Sequence, residues 1–348
     1  MADFSMIRMR SVRTMLLAGG LLALVLLVHH LGAASIGAAL THITWWQFVL
    51  ITLFHVFNLV VDAAAWRYAF PRETAPFHKL VAARCAGDAI NVLSAVAAVG
   101  GEAVKAWVLR REIPYEESVP VLIVSKTAET VAQVPLLGLG ILLAWSGGVG
   151  GPTLRIAMLY LLLAEMIGAA GLLGVQIAGG LGKAGRLLSW AGIEGTLHAT
   201  RLDERLRGFY SHEWRRFLRS VGLYFVGWLL GAVQAFFILR SLNLPASLST
   251  ATVIEALWSG VRFATFYVPA SLGTLEGANA VAFRAFGFSP SAGLAFALVS
   301  RASQAVWIGL GMIVVLVMRP TLSLTDEPAA PAASTAECGE QLISRSSQ

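Results

Sequence analysis

The chain has 348 residues, of which 57% are hydrophobic and only 13% charged, and its mean hydropathy is +0.71. Soluble domains carry about 25% charged residues, so a soluble enzyme or nucleic-acid-binding module is excluded. The net charge of +6 reads instead as loop lysines and arginines that set membrane topology, and no nucleic-acid partner is expected.

Membrane spans need about 20 apolar residues. The apolar runs are continuous and lack the alternation of an outer-membrane barrel, so the spans are helical. Residues 1–13 carry Arg8, Arg10 and Arg13 and form a basic, cytoplasmic N-terminus. The first apolar run, 14–31, has the flanks of a signal peptide. Its His29-His30-Leu31-Gly32 end offers no small-residue cleavage site, so it is read as an uncleaved span. The second span covers 45–65 and opens on Trp45 and Trp46, which suit the interface. The loop 66–79 holds Arg67, Arg72 and Lys79 and is placed in the cytoplasm, with Asp62 near Arg67 as a helix-end pair.

Residues 80–107 are apolar but interrupted by Arg84, Asp88, Asn91, Gly100, Gly101, Glu102 and Lys105. Both flanks are basic, which predicts a segment that enters and leaves on one side. Such re-entrant backbone is tolerated only where it lines a cavity or is buried in protein. Gly100-Gly101 is the expected break. Spans at 118–145 and 154–177, joined by a glycine-rich turn at 147–152, complete a first unit, 14–178. The basic stretch 179–216 is expected in the cytoplasm. It is read either as a plain solvated loop or as carrying an amphipathic helix near 197–210 on anionic headgroups. A fifth span, 217–239, precedes a second broken stretch, 253–286, which contains Glu255, Arg262, Pro269, Gly273, Glu276 and Gly277. A sixth span, 291–318, completes the unit 217–320. The tail 321–348 is rich in Ala, Ser, Pro and Glu and is expected to be disordered.

The broken stretches correspond. Gly100-Gly101-Glu102 followed by Val124-Ser125-Lys126 matches Gly273-Thr274-Leu275-Glu276 followed by Val299-Ser300-Arg301, at an offset of about 175 residues. Loop charges make the first stretch enter from inside and the second from outside, the pattern of an inverted repeat. The fold expected is therefore all-α: a polytopic membrane protein of about six full transmembrane helices plus two re-entrant helical hairpins in an inverted repeat, with both termini cytoplasmic.

Charges inside apolar runs cost about 2.5–3.5 kcal/mol each at a helix centre and are functional candidates by default. Lys126 lies about 12 Å and Arg301 about 15 Å into their spans, too deep to snorkel, so each needs an anion. Glu102 and Glu129 are candidate partners of Lys126, and Glu276 and Glu255 of Arg301. The alternative partner is a bound lipid phosphate, favoured by half-helix N-termini near Gly101 and Gly273. Purely structural ion pairs are the competing explanation. Arg262 stands two turns after Glu255 on one face. Glu165, in the middle of its span, is either functional or a packed, protonated carboxyl. Arg284 belongs at the outer interface.

The candidate substrate-binding set is therefore Glu102, Lys105, Lys126, Glu129, Glu255, Arg262, Glu276, Arg301 and Gln304. The candidate hinges are Gly100, Gly101, Pro269 and Gly273. No catalytic residues are assigned. The seven His have no metal-ligand spacing, and the two cysteines, Cys85 and Cys338, form neither a disulfide framework nor a metal cluster, so no metal or cofactor is expected.

Gly100-Gly101-Glu102-Ala103-Val104-Lys105-Ala106, Leu272-Gly273-Thr274-Leu275-Glu276-Gly277-Ala278 and Val299-Ser300-Arg301 resemble the flippase-like transmembrane domain of lysylphosphatidylglycerol synthases. Within that superfamily the chain looks most like the stand-alone, hopanoid-biosynthesis-associated membrane proteins, over roughly residues 10 to 320. The resemblance implies a bacterial inner-membrane protein with re-entrant helices and a lipid-translocating or lipid-binding role. The family's second motif often reads Pro-Gly-Gly-x-Gly-x-x-Glu. Here Pro269-Ala270-Ser271-Leu272-Gly273-Thr274-Leu275-Glu276 has fewer glycines. The soluble aminoacyl-transferase domain of the bifunctional synthases is not seen before Gln348, so lysyl-lipid synthesis by this chain alone is not expected.

A lipid flippase or transporter for an anionic or isoprenoid-type lipid is the leading expectation. The alternatives are an integral membrane enzyme of lipid or glycolipid assembly, using Glu102 or Glu276 as base, and a non-catalytic assembly factor. Expected partners are the lipid substrate, anionic headgroups at the cytoplasmic loop, further copies of the chain and lipid-biosynthesis enzymes.

Overall fold

The computed structural model describes residues 38, 41–72, 75–93, 100–148, 150–180, 196–266, 268, 271 and 273–318. The first apolar run, Pro269 and the tail lie outside the described residues. The described chain is helical: α1 Trp45–Ala69, α2 Phe77–Leu93, α3 Gly100–Leu109, α4 Tyr115–Ser146, α5 Gly151–Ile177, α6 Thr196–His212, α7 Trp214–Ser241, α8 Leu248–Ala264, α9 Thr274–Ala285 and α10 Pro290–Val317. Five of them, α1, α4, α5, α7 and α10, are long and apolar enough to cross a membrane. The outward faces of these five carry large apolar side chains such as Leu53, Leu142, Ile167, Val226 and Ile313. Water would not tolerate so much apolar surface, but a bilayer does. The protein is therefore an all-α, polytopic membrane protein.

The helix starts follow local chemistry. Ser247 accepts a hydrogen bond from the Thr250 amide at 3.1 Å, and Ser289 accepts one from the Ala292 amide at 3.2 Å, so α8 and α10 each open on a serine cap. Pro290 follows as the first helical residue, where its missing N–H costs nothing. Gly273 stands before α9 with φ 77°, a conformation that a residue with a Cβ rarely adopts. Gly100 and Gly101 are the first two residues of α3. Gly101 is needed for close approach: its amide donates to Asn91 Oδ1 at 2.9 Å, and an added Cβ would strike the Gly87 carbonyl of α2.

Packing is reciprocal between the two halves. α2 packs on α10, while α8, its counterpart in the second half, packs on α4. α1 and α7 lie against each other between these layers. The α1–α7 seam is tied by Ser220 donating to the Ala65 carbonyl at 2.8 Å and Gln234 donating to the Ile51 carbonyl at 3.0 Å. Trp307 of α10 donates to the Thr52 carbonyl of α1 at 2.8 Å. α6 occupies the region where an amphipathic helix was expected. It turns Leu206 and Phe209 into the core, and the Tyr210 hydroxyl donates to Gln176 at 2.8 Å.

The α2–α10 contact depends on Gly311, where an added Cβ would run into the Cys85 carbonyl and lie 2.6 Å from Ala89 Cβ. Gly309, two residues earlier, has nothing within 4 Å of an added Cβ. Gly311→Val is expected to destabilise the purified protein by about 1–3 kcal/mol, the cost of overpacking a filled interface. Gly309→Val should leave the thermal midpoint nearly unchanged. Equal midpoints for the two variants would show that α10 does not rest on α2.

Candidate functional site

Arg84 is the centre of the first charged cluster. Its side chain is 9% exposed. One terminal nitrogen lies 3.0 Å from Asp62 of α1 and 3.7 Å from Glu129 of α4, and Nε lies 3.0 Å from Asp88 one turn further along α2. A planar guanidinium can serve several carboxylates at once, which an ammonium cannot do with the same geometry. The Tyr224 ring of α7 stands 5.9 Å away, and its hydroxyl is 2.6 Å from Ser125 of α4. Four helices thus converge on one cation.

Two lysines extend the cluster. Lys105, 3% exposed, places Nζ 2.8 Å from Glu102 and 4.0 Å from Asp88. It fits because residue 87 is glycine: a Cβ there would lie 2.6 Å from Lys105 Cγ. Lys126 pairs with Glu129 at 3.2 Å. The expected Lys126–Glu129 contact therefore forms, while Glu102 turns to Lys105 instead. Asp62, expected to pair with Arg67, pairs with Arg84 across 22 residues of sequence.

The second half pairs differently. Glu276, 1% exposed, accepts the Gly273 amide at 2.8 Å on one oxygen and Arg301 Nε at 2.9 Å on the other. Arg301 also donates to the Ser271 carbonyl at 3.3 Å. The contrast has a reason in sequence. Asn279 stands where the first half has Lys105, and Gln304 where it has Glu129. With neither local partner, Glu276 and Arg301 are left to each other. Gln304 is exposed and is not drawn into the cluster.

Arg262 and Glu255, two turns apart on α8, do not form an ion pair. Arg262 is exposed, has no carboxylate within 4 Å among the described residues, and lies 5.9 Å from the rings of both Trp228 and Trp258. Trp258 is fixed by donating to Asn279 at 2.7 Å. Glu255 is turned to α7, where an added Cβ on Gly231 would lie 2.8 Å from its Oε1. Arg262 is within electrostatic reach of Glu129 and Arg301, and His55 of Asp88, Arg84 and Arg262, so the two clusters share one polar region. Arg84 was absent from the expected binding set. The Arg84–Asp88 spacing of four inside an apolar run was the signal for it. No group of three or more His, Cys, Asp or Glu among the described residues is placed to hold a metal ion.

Removing Arg84 leaves Asp62 and Asp88 without their main cation. Arg84→Met is expected to cost about 3–5 kcal/mol, as for breaking one side of a buried pair. The double variant Arg84→Met with Asp62→Asn should regain part of that loss. Chemical or thermal unfolding in detergent measures both, and a double variant no more stable than the single would refute the coupling.

No characterised protein and no solved structure shows a significant match to the chain. Residues 13–311 match the family described as the lysylphosphatidylglycerol synthase TM region. That match spans both charged clusters and all the long helices but the end of α10, and the chain belongs to this family of membrane proteins of lipid metabolism or transport.

Proposed function

We propose that the protein is a lipid flippase or transporter that takes an anionic headgroup into the polar region between its two halves. The observation that carries this reading is Arg262. Arg84, Lys105, Lys126 and Arg301 each have a carboxylate at 4 Å or less, whereas Arg262 is open and flanked by two tryptophans. A guanidinium in an apolar segment without a counter-ion is costly, and a phosphate or carboxylate headgroup would supply the missing charge through a bidentate contact. Trp228 and Trp258 offer amphipathic faces for the junction between headgroup and chain.

The remaining residues take supporting roles in this reading. Glu276 and Arg301 fix the start of α9, and Glu102, Lys105 and Asp88 fix α3 against α2. Lys126, with its side chain 41% exposed, offers a second cationic contact that opens when its bond to Glu129 lengthens. Helices α2, α3, α8 and α9 have 17, 10, 17 and 12 residues, each below the roughly 20 needed to cross. That supports reading the pairs as re-entrant hairpins, and the offset motifs support an inverted repeat, with repeats at 14–178 and 217–320. A bacterial inner membrane and a hopanoid-linked lipid are the setting this reading favours, with both termini in the cytoplasm.

The test uses purified protein in phosphatidylcholine liposomes with fluorescent phosphatidylglycerol, read by chemical quenching of the outer leaflet. Wild type should translocate the anionic probe. Arg262→Gln should slow this at least tenfold at unchanged thermal stability, and Arg262→Lys should be intermediate. Wild-type rates in Arg262→Gln, or equal rates for fluorescent phosphatidylcholine, would remove the anion-binding reading.

A further inference from the structure

Glu165 is a buried charge-bearing side chain outside the polar region described above. Glu165 is 0% exposed, and both its carboxyl oxygens are buried without a hydrogen-bond partner. It sits fourteen residues from the start of α5 and twelve from its end, about 18–21 Å from either, near the midpoint of a helix long enough to span a bilayer. It lies on the buried stripe of α5 with Leu154, Met158, Ala169 and Gln176.

Among the described residues, the surroundings hold no counter-charge. α5 packs on α4, α6, α8 and α9. On α4, Lys126 and Glu129 bind each other, and Glu116 lies at the far end beside Arg205. On α8, Glu255 faces α7 and Arg262 faces the two tryptophans. On α9, Glu276 is bound to Arg301, and Arg284 is exposed. On α6, Arg207 binds the Ala178 carbonyl just past the C-terminal end of α5, distant from Glu165. An ionised carboxylate in such a place would be uncompensated, and a group in this position keeps its proton instead.

The seal around it is made of glycine contacts. An added Cβ on Gly260 of α8 would lie 3.1 Å from Leu161 of α5. An added Cβ on Gly168 of α5 would run into the Phe263 ring of α8. Glu165 lies between these two contacts along α5.

We propose that Glu165 is a proton-binding site whose occupancy is tied to the packing of α5. While α5 is seated on α4 and α8, the carboxyl O–H bond is intact. When α5 moves away, water enters, the O–H bond breaks, the proton passes to that water and the solvated carboxylate remains. Recapture of a proton permits α5 to reseat. The ligand is the proton alone, and no oxidant or reductant is involved. This inference stands on α5 and is independent of the lipid reading.

The experiment is infrared spectroscopy of the full chain reconstituted in phosphatidylcholine vesicles, titrated in pH without any substrate lipid. The wild type should show a protonated-carboxyl C=O band at neutral pH that is missing in Glu165→Gln. Gly168→Val, which wedges α5 from Phe263, should shift loss of that band to lower pH by at least one unit, a tenfold loss of proton affinity. Glu165→Gln and Glu165→Met should both keep the thermal midpoint of wild type, since neither removes a paired charge. A neutral-pH band unchanged in Glu165→Gln would overturn the proposal. So would a titration unaffected by Gly168→Val, or collapse of both Glu165 variants.

Discussion

One buried guanidinium joins three helices. Arg84 holds Asp62, Asp88 and Glu129, which belong to α1, α2 and α4. In a membrane interior the attraction between unlike charges is weakly screened, and so is the cost of leaving one unpaired. That asymmetry makes the cluster a positional constraint more than a source of net stability. α2, α1 and α4 must meet at one point because the alternative is a bare ion in lipid. The rest of the arrangement, from Lys105 under Trp66 to Tyr224 on Ser125, is built around that meeting point.

The chain handles the ionisable groups of its apolar segments in three ways. Most are neutralised locally, as in the Arg84 cluster and the Glu276–Arg301 pair. Arg262 stays charged without a carboxylate and is kept open beside two aromatic faces. Glu165 has neither partner nor solvent. The same physical cost thus meets a scaffold at one position, an open cation at another and an unpartnered acid at a third.

Much of the architecture was legible in the sequence. Long apolar runs predicted four of the five long helices nearly to their ends, because about 20 apolar residues in a row have few other stable fates. The two interrupted stretches did become pairs of short helices. Gly100 and Gly101 open α3, and Gly101 marks a close approach to α2. Pairing was less legible. Contacts at a spacing of three, Lys126–Glu129, follow from helix geometry, and Glu276–Arg301 followed from the repeat. Asp62–Arg84 joins two helices whose relative placement no local pattern encodes. Arg262 and Glu255 share a helical face, yet each is claimed by a different neighbour: tryptophans on α7 and α8 for one, a glycine-lined surface of α7 for the other.

The exchange of partners between the halves has a consequence for synthesis. When α2 leaves the ribosome, the surface it will finally occupy, on α10, lies more than 200 residues downstream. α4 likewise waits for α8. The early helices must therefore rest in the membrane with their docking faces, and the Arg84 cluster beside them, provisionally covered by lipid or the insertion machinery. Translation order makes the amino-terminal half a tenant without a finished wall. Each half buries a helix face against the other, α2 on α10 and α4 on α8.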